Sequence, residues 1–182
     1  MNITPETKKD LGLLQIYTGN GKGKTSAALG LAFRASGHHL RVLFVQFMKD
    51  TGYYGEEVSA EKFPNITWKT FGRHDFVNLE SPENIDRELA QTGWQYVQKE
   101  LESNHYDLII LDEVNVAVAC GLIPLPEIIA ALKTRAPFTE VLLTGRYAPP
   151  ELLEMADLIT EMKEVRHPFT EKNLEARKGI EF

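Results

Sequence analysis

The residues most able to do chemistry lie together near the start of the chain. Thr18-Gly19-Asn20-Gly21-Lys22-Gly23-Lys24-Thr25-Ser26 sets three glycines and two lysines before a Thr-Ser pair. It follows the apolar run Leu13 to Tyr17 and opens a segment, Thr25 to Ser36, that reads as a helix. Strand, glycine-rich turn, Lys-Thr and helix is the layout of a loop that wraps phosphates: small residues let backbone N–H groups converge, and the helix N-terminus adds partial positive charge. In the pattern G-x-x-x-x-G-K-[ST], Gly23, Lys24 and Thr25 take the last three positions, while Thr18 stands where the first glycine belongs and Gly19 follows it. A strand-to-helix turn that needs glycine only for its backbone angles has no need of Lys22, Lys24, Thr25 and Ser26. The loop therefore marks a nucleoside triphosphate site.

A second group sits far along the chain. Leu108-Ile109-Ile110-Leu111 runs straight into Asp112-Glu113. An acid at the C-terminal end of a buried parallel strand shares an edge with the phosphate loop, where it can hold Mg²⁺ directly or through water while Thr25 supplies a hydroxyl. Glu113 admits two readings, a residue that polarises water and a metal ligand or orienting group. Arg146, after Val141-Leu142-Leu143-Thr144-Gly145, either reaches the phosphates or is a surface arginine at a strand end. No side-chain nucleophile is evident: Cys120 lies among apolar residues, and the five histidines lack zinc-like spacing. The nucleophile is then water or belongs to a second substrate. The residues alone leave open a kinase or ATPase and an ATP-dependent regulator.

These groups need a scaffold that brings strand ends together. Apolar runs at Leu13 to Tyr17, Arg41 to Phe47, Ile66 to Phe71, Leu108 to Leu111, Val141 to Thr144 and Leu158 to Met162 read as strands. Helical spacing falls between them at Thr25 to Ser36, Ile85 to Leu101, Pro124 to Arg135 and Pro149 to Ala156. Alternation of this kind predicts an α/β fold, a mostly parallel sheet of roughly six strands with helices on both faces. Lys49 to Glu57 and Gly72 to Pro82 are read as loops and the C-terminus as a polar tail. At 182 residues with 43% hydrophobic content the chain forms one domain, with residues 1–10 loosely ordered. A net charge of -6 argues against nucleic acid as the main partner. The single cysteine and the lack of a leader or membrane-length apolar run point to a soluble cytoplasmic protein.

Several blocks in order resemble one family across nearly the whole chain. Gly19 to Thr25, Arg41-Val42-Leu43-Phe44-Val45-Gln46-Phe47, Leu111-Asp112-Glu113-Val114-Asn115, Gly121-Leu122-Ile123-Pro124, Thr144 to Pro150 and Ala176 to Glu181 are similar to the ATP:corrinoid adenosyltransferases. The resemblance implies a three-layer P-loop NTPase fold of the RecA-like kind. It also implies transfer of the 5'-deoxyadenosyl group of ATP to the Co(I) centre of a reduced corrinoid, with release of triphosphate. Gly19, Asn20, Gly21, Lys22, Gly23, Lys24, Thr25 and Ser26 would then bind ATP. Thr25, Asp112 and Glu113 would hold Mg²⁺ or Mn²⁺, and Lys24, Glu113 and Arg146 would serve the leaving triphosphate. An apolar corrin floor would fall at Phe76 and Asn78, the latter where relatives commonly carry tryptophan, with Tyr53, Tyr54 and Trp68 as further aromatic contacts. A homodimer, and an electron donor such as a flavodoxin or flavin reductase, are implied by the resemblance alone.

Overall fold

A computed structural model describes residues 8–50, 54–75 and 77–181. Six strands form one sheet in the order β3-β2-β4-β5-β1-β6: β1 Leu14–Thr18, β2 Val42–Phe47, β3 Ile66–Phe71, β4 Leu108–Asp112, β5 Glu140–Thr144 and β6 Leu158–Glu161. Every neighbouring pair is parallel. The expected "mostly parallel" sheet is thus wholly so, and each connection must return across a face, which is where the helices lie.

Alternation along the strands assigns those faces. Leu43, Val45, Phe47, Ile109, Leu111, Val141 and Leu143 join one core, and Val42, Phe44, Leu108, Ile110 and Leu142 the other. The first face is covered by Trp94, Val97 and Leu101 of α3 (Asn84–Ser103), Val114 and Ala117 of α4 (Val114–Ala119), Ile128 and Leu132 of α5 (Leu125–Thr134), and Leu152 of α6 (Pro150–Met155). The second is covered by α1 (Lys24–Gly37) through Ala28, Ala32 and Ala35, whose small side chains let the helix approach the sheet closely. Trp68 stacks on Phe44 at 4.3 Å between ring centroids on this face. β1, with apolar residues in succession, buries Leu14 and Ile16 and leaves Gln15 and Tyr17 half-buried, because α1 covers the central strands instead.

Three short helices depart from the sequence reading. α2 (Gly55–Ala60) occupies the end of the expected 49–57 loop, α4 follows Glu113 directly, and α7 (Pro168–Lys172) interrupts the expected polar tail. Five or six residues carry too little helical periodicity to register as a pattern, and their stability comes from the chain around them. β6, the expected last strand, is exposed along its length, and among the described residues its side chains join neither core. Among the described residues no helix is long and apolar enough to cross a membrane.

The end of the sheet opposite the candidate site is pinned by carboxylates. Glu140 accepts from the N–H groups of Gly12 and Leu13 at 2.9 and 2.7 Å, and Asp157 from that of Leu14 at 2.8 Å. Asp107, before β4, accepts from Lys8 Nζ at 2.7 Å and from the Arg41 N–H, Nε and Nη2 at 2.9–3.1 Å. Burial alone would raise the pKa of this carboxyl; the Arg41 and Lys8 hydrogen bonds outweigh it and hold the group far below the usual carboxylate range. A group so depressed stabilises the fold fully above its unfolded pKa of about 4, and the contribution disappears as pH falls below that value. Asp107→Asn is expected to lower the unfolding free energy by about 2 kcal/mol at neutral pH. In urea titrations the gap between the two proteins should narrow on going from pH 5 to pH 3; an undiminished gap at pH 3 contradicts the assignment.

Candidate functional site

The phosphate loop leaves β1 and turns against the backbone that leaves β6. Thr18, the last residue of β1, pairs with Glu161, and its carbonyl accepts from the Met162 N–H at 2.8 Å. The first position of the motif is therefore ordinary strand, which any residue adopts. The need for glycine falls one residue later: Gly19 has φ 93°, and a Cβ there would lie 2.5 Å from the Met162 carbonyl oxygen. Gly21 donates its N–H to the same oxygen at 2.6 Å, so β6 braces the loop from the side.

α1 starts at Lys24 with no side-chain cap and no acid in its first turn, which leaves its N-terminal N–H groups for an anion. Lys24 is 7% exposed and donates to the carbonyls of Gly19 and Gly21, each at 2.8 Å. Burial pushes the pKa of its ammonium down, with Glu113 opposing the shift. Lys22 points elsewhere: its ammonium meets Glu181 at 2.8 Å, a carboxylate also held by Arg177 and driven down to about 2 by its hydrogen bonds to Arg177 and Lys22.

Asp112 is fully buried at the end of β4. Its Oδ1 accepts from Thr25 Oγ1 at 2.9 Å and Thr144 Oγ1 at 2.7 Å, and its Oδ2 from Gln46 Nε2 at 3.2 Å and Lys49 Nζ at 3.1 Å. Thr144 in turn accepts from the Glu113 N–H at 3.1 Å. Glu113 sits at φ 61°, a left-handed conformation that few residues other than glycine adopt, and this turns its side chain into the cleft. Burial raises its pKa, as does Asp112, against Lys49, Lys24 and Arg146. Among the described residues no side-chain hydrogen bond reaches its carboxylate.

Arg146 follows β5 on a turn with Gly145 at φ 130° and Tyr147 at φ 61°. The carbonyl of Gly145 lies 3.4 Å from Asn115 Nδ2, so the turn is tied to α4. Arg146 lines the cleft and has no carboxylate in ion-pair distance among the described residues.

The cleft has a volume of about 840 Å³ and is bounded by the loop, the β2 end at Phe47 to Lys49, the start of α2, Arg73 to Asp75, Arg146-Tyr147 and the tail at Gly179 to Glu181. Of the expected residues it is lined by the run from Gly21 through Ser26 and by Glu113, Arg146 and Tyr54, with Asp112 beneath them. Gly19 and Asn20 shape the loop from outside. Trp68, an expected corrin contact, does not line the cleft but stacks on Phe44 within the sheet layer. Asn78 is exposed, and its Oδ1 accepts from the Glu80 and Ser81 N–H groups, so it closes a loop turn instead. Phe76 and Tyr53 lie outside the described residues. Lys49, Thr144 and Gln46 escaped sequence reading: their partner is 63, 32 and 66 residues away, and only the order of strands reveals it.

The residues fit a divalent cation in one way. Among the described residues no three His, Cys, Asp or Glu side chains cluster, so an ion here would draw on few protein groups. The Thr25 hydroxyl and the unpartnered Glu113 carboxylate face that position.

Comparison with known proteins shows the family of the chain. A family model described as ATP:corrinoid adenosyltransferase BtuR/CobO/CobP matches residues 10–182. A corrinoid adenosyltransferase of Pseudomonas aeruginosa is 34% identical over 178 residues, 97% of this chain and 87% of that one. One from Escherichia coli is 35% identical over 185 residues, 97% and 89% of the two chains. The crystal structure of the flagellar accessory protein FlaH from Methanocaldococcus jannaschii superposes with a TM-score of 0.54 at 14% identity, covering 83% of this chain and 71% of that one; it shares the fold.

Among the described residues the Lys24 ammonium has only two carbonyls of its own loop as partners, which it can exchange for an anion. Lys24→Ala should weaken ATP binding roughly 10- to 100-fold, the loss of one or two charge-assisted hydrogen bonds. Its circular dichroism and urea midpoint should stay close to the parent's. ATP affinity unchanged in equilibrium dialysis would remove the lysine from the site.

Proposed function

The chain belongs to the ATP:corrinoid adenosyltransferase family, and we propose that the cleft at the ends of β1, β4 and β5 is where its reaction takes place. The reaction adenosylates a corrinoid with ATP in cobalamin biosynthesis. The electron pair of Co(I) attacks the ribose 5' carbon, the C5'–O bond breaks, and triphosphate leaves with the bonding pair. The nucleophile arrives with the substrate, so the protein's part is alignment and neutralisation of the leaving charge.

One observation carries the site assignment. Lys24 rests on neutral carbonyls and, among the described residues, Arg146 makes no ion pair, so two cations and an uncapped helix N-terminus face the same cleft with no salt bridge to break, Glu113 being the carboxylate that shares it. That is a clamp for a polyanionic leaving group. Gly21, Gly23, Thr25 and Ser26 complete the phosphate wall, and Gly19 and Asn20 set its curvature. Lys22 adds charge at the rim, shared with Glu181. Mg²⁺ or Mn²⁺, held by Thr25 and Glu113 with Asp112 behind them, supplies further charge neutralisation for the phosphates.

Tyr54 and Phe76 contact the corrinoid, and reduction to Co(I) draws on an external donor such as a flavodoxin or flavin reductase. The protein works in the cytoplasm as a homodimer. Exposed apolar residues on and after β6 support an interface there: Ile159 is 49% exposed, Val165 89% and Phe169 57%.

Incubation with ATP, Mg²⁺ and chemically reduced cobalamin under anaerobic conditions should give the adenosylcobalamin spectrum together with inorganic triphosphate. ADP or orthophosphate without an adenosylated product would assign the cleft to phosphoryl chemistry.

A further inference from the structure

Lys49 belongs to none of the sequence motifs, yet it makes the only ion pair to the buried acid of the site among the described residues. β2 ends at Phe47, and Met48, at φ 62°, turns the chain so that the next side chain runs back over the strand ends. The Lys49 side chain is 19% exposed. Its ammonium lies 3.1 Å from Asp112 Oδ2 and 5.1 Å from the centroid of the Tyr54 ring, which covers it with an aromatic face.

This contact decides what Asp112 is able to do. With Thr25 and Thr144 on Oδ1 and Gln46 and Lys49 on Oδ2, the carboxylate accepts four hydrogen bonds, about the number its lone pairs allow. A cation could bind Asp112 directly only by displacing one of these donors. The two lysines that line the cleft from the loop and from β2 differ in this respect: Lys24 leaves neutral carbonyls when it turns to a ligand, whereas Lys49 would leave a buried carboxylate unpaired, which is the costlier move.

We propose that Lys49 is a positioning residue for the metal site: by occupying the Oδ2 edge of Asp112 it confines that acid to orienting the Thr25 hydroxyl, and so leaves Thr25 and Glu113 as the protein groups presented to the cation. The proposal rests on the reading that a divalent ion serves the reaction.

The test reads metal binding apart from turnover. Mn²⁺ is titrated into the ligand-free protein and free ion is followed by electron paramagnetic resonance. Lys49→Met should bind Mn²⁺ at least tenfold more tightly than the parent, because an unneutralised carboxylate close by is worth that much at protein dielectric. Adding Asp112→Asn to Lys49→Met should abolish the gain, and Lys49→Arg should restore parental affinity. Adenosylation by Lys49→Met should fall at least tenfold even though its metal affinity rises, a pairing of signs that simple damage to the fold does not produce. Lys49→Gln, which keeps a donor for Oδ2 without the charge, should lie between and serves if the Met variant does not fold. Equal or weaker Mn²⁺ binding in the Met and Gln variants, or a gain that survives Asp112→Asn, overturns the proposal. Failure of the underlying reading is separate: parent turnover indifferent to removal of all divalent metal would show it, whatever the titrations give.

Discussion

The site is held together by one buried carboxylate. Asp112 removes a negative charge from water, a cost of several kcal/mol in a protein interior, and the structure offsets it with four donors drawn from three other places in the fold. Thr25 comes from the start of α1, Gln46 and Lys49 from β2, and Thr144 from β5. None of these donors is near Asp112 in sequence, so the cost is met only when the strands stand in their native order. The same carboxylate that orients the chemistry therefore also reports whether the sheet is assembled correctly.

Around it the cations differ in how firmly they are engaged. Lys22 is paired with Glu181 at the rim, where solvent weakens the attraction, and Lys49 is paired with Asp112 in the interior, where it does not. Among the described residues Lys24 and Arg146 make no salt bridge. On the proposed reading a polyphosphate would therefore meet graded resistance in the cleft, recruiting Lys24 and Arg146 first and Lys22 next, while Lys49 stays with its acid. Glu113 adds a carboxylate whose charge burial disfavours, so a cation arriving with the phosphates relieves strain already present.

Much of this was legible in the sequence, for reasons particular residues make plain. Continuous apolar runs such as Val42 to Val45 and Leu108 to Leu111 named buried parallel strands because both faces of each are covered. The loop announced itself because phosphate binding needs glycine, lysine and a hydroxyl in fixed order. What stayed hidden depends on distance or brevity. Lys49 looked like the start of a loop, since its meaning lies in a partner on another strand. Thr144 looked like the end of an apolar run, and the helix at Val114–Ala119 was too short to show a period. Trp68, which the resemblance implies as a corrin contact, stacks on Phe44 through alternation along β3, a placement only the sheet reveals. Thr18 stands where the motif has its first glycine; its pairing with β6 makes it a plain strand residue and moves the glycine to position 19.

The order of strands carries one more consequence. β1 lies between β5 and β6, so it takes both its neighbours from strands made more than a hundred residues later. At about 5–20 residues per second, on the order of ten seconds separates synthesis of the phosphate loop from that of the strand that braces it. Through that interval Leu14 and Ile16 lack the strands that flank them in the sheet, and Gly21 lacks the Met162 carbonyl that braces it. The loop takes the braced shape described above only in chains made through residue 162.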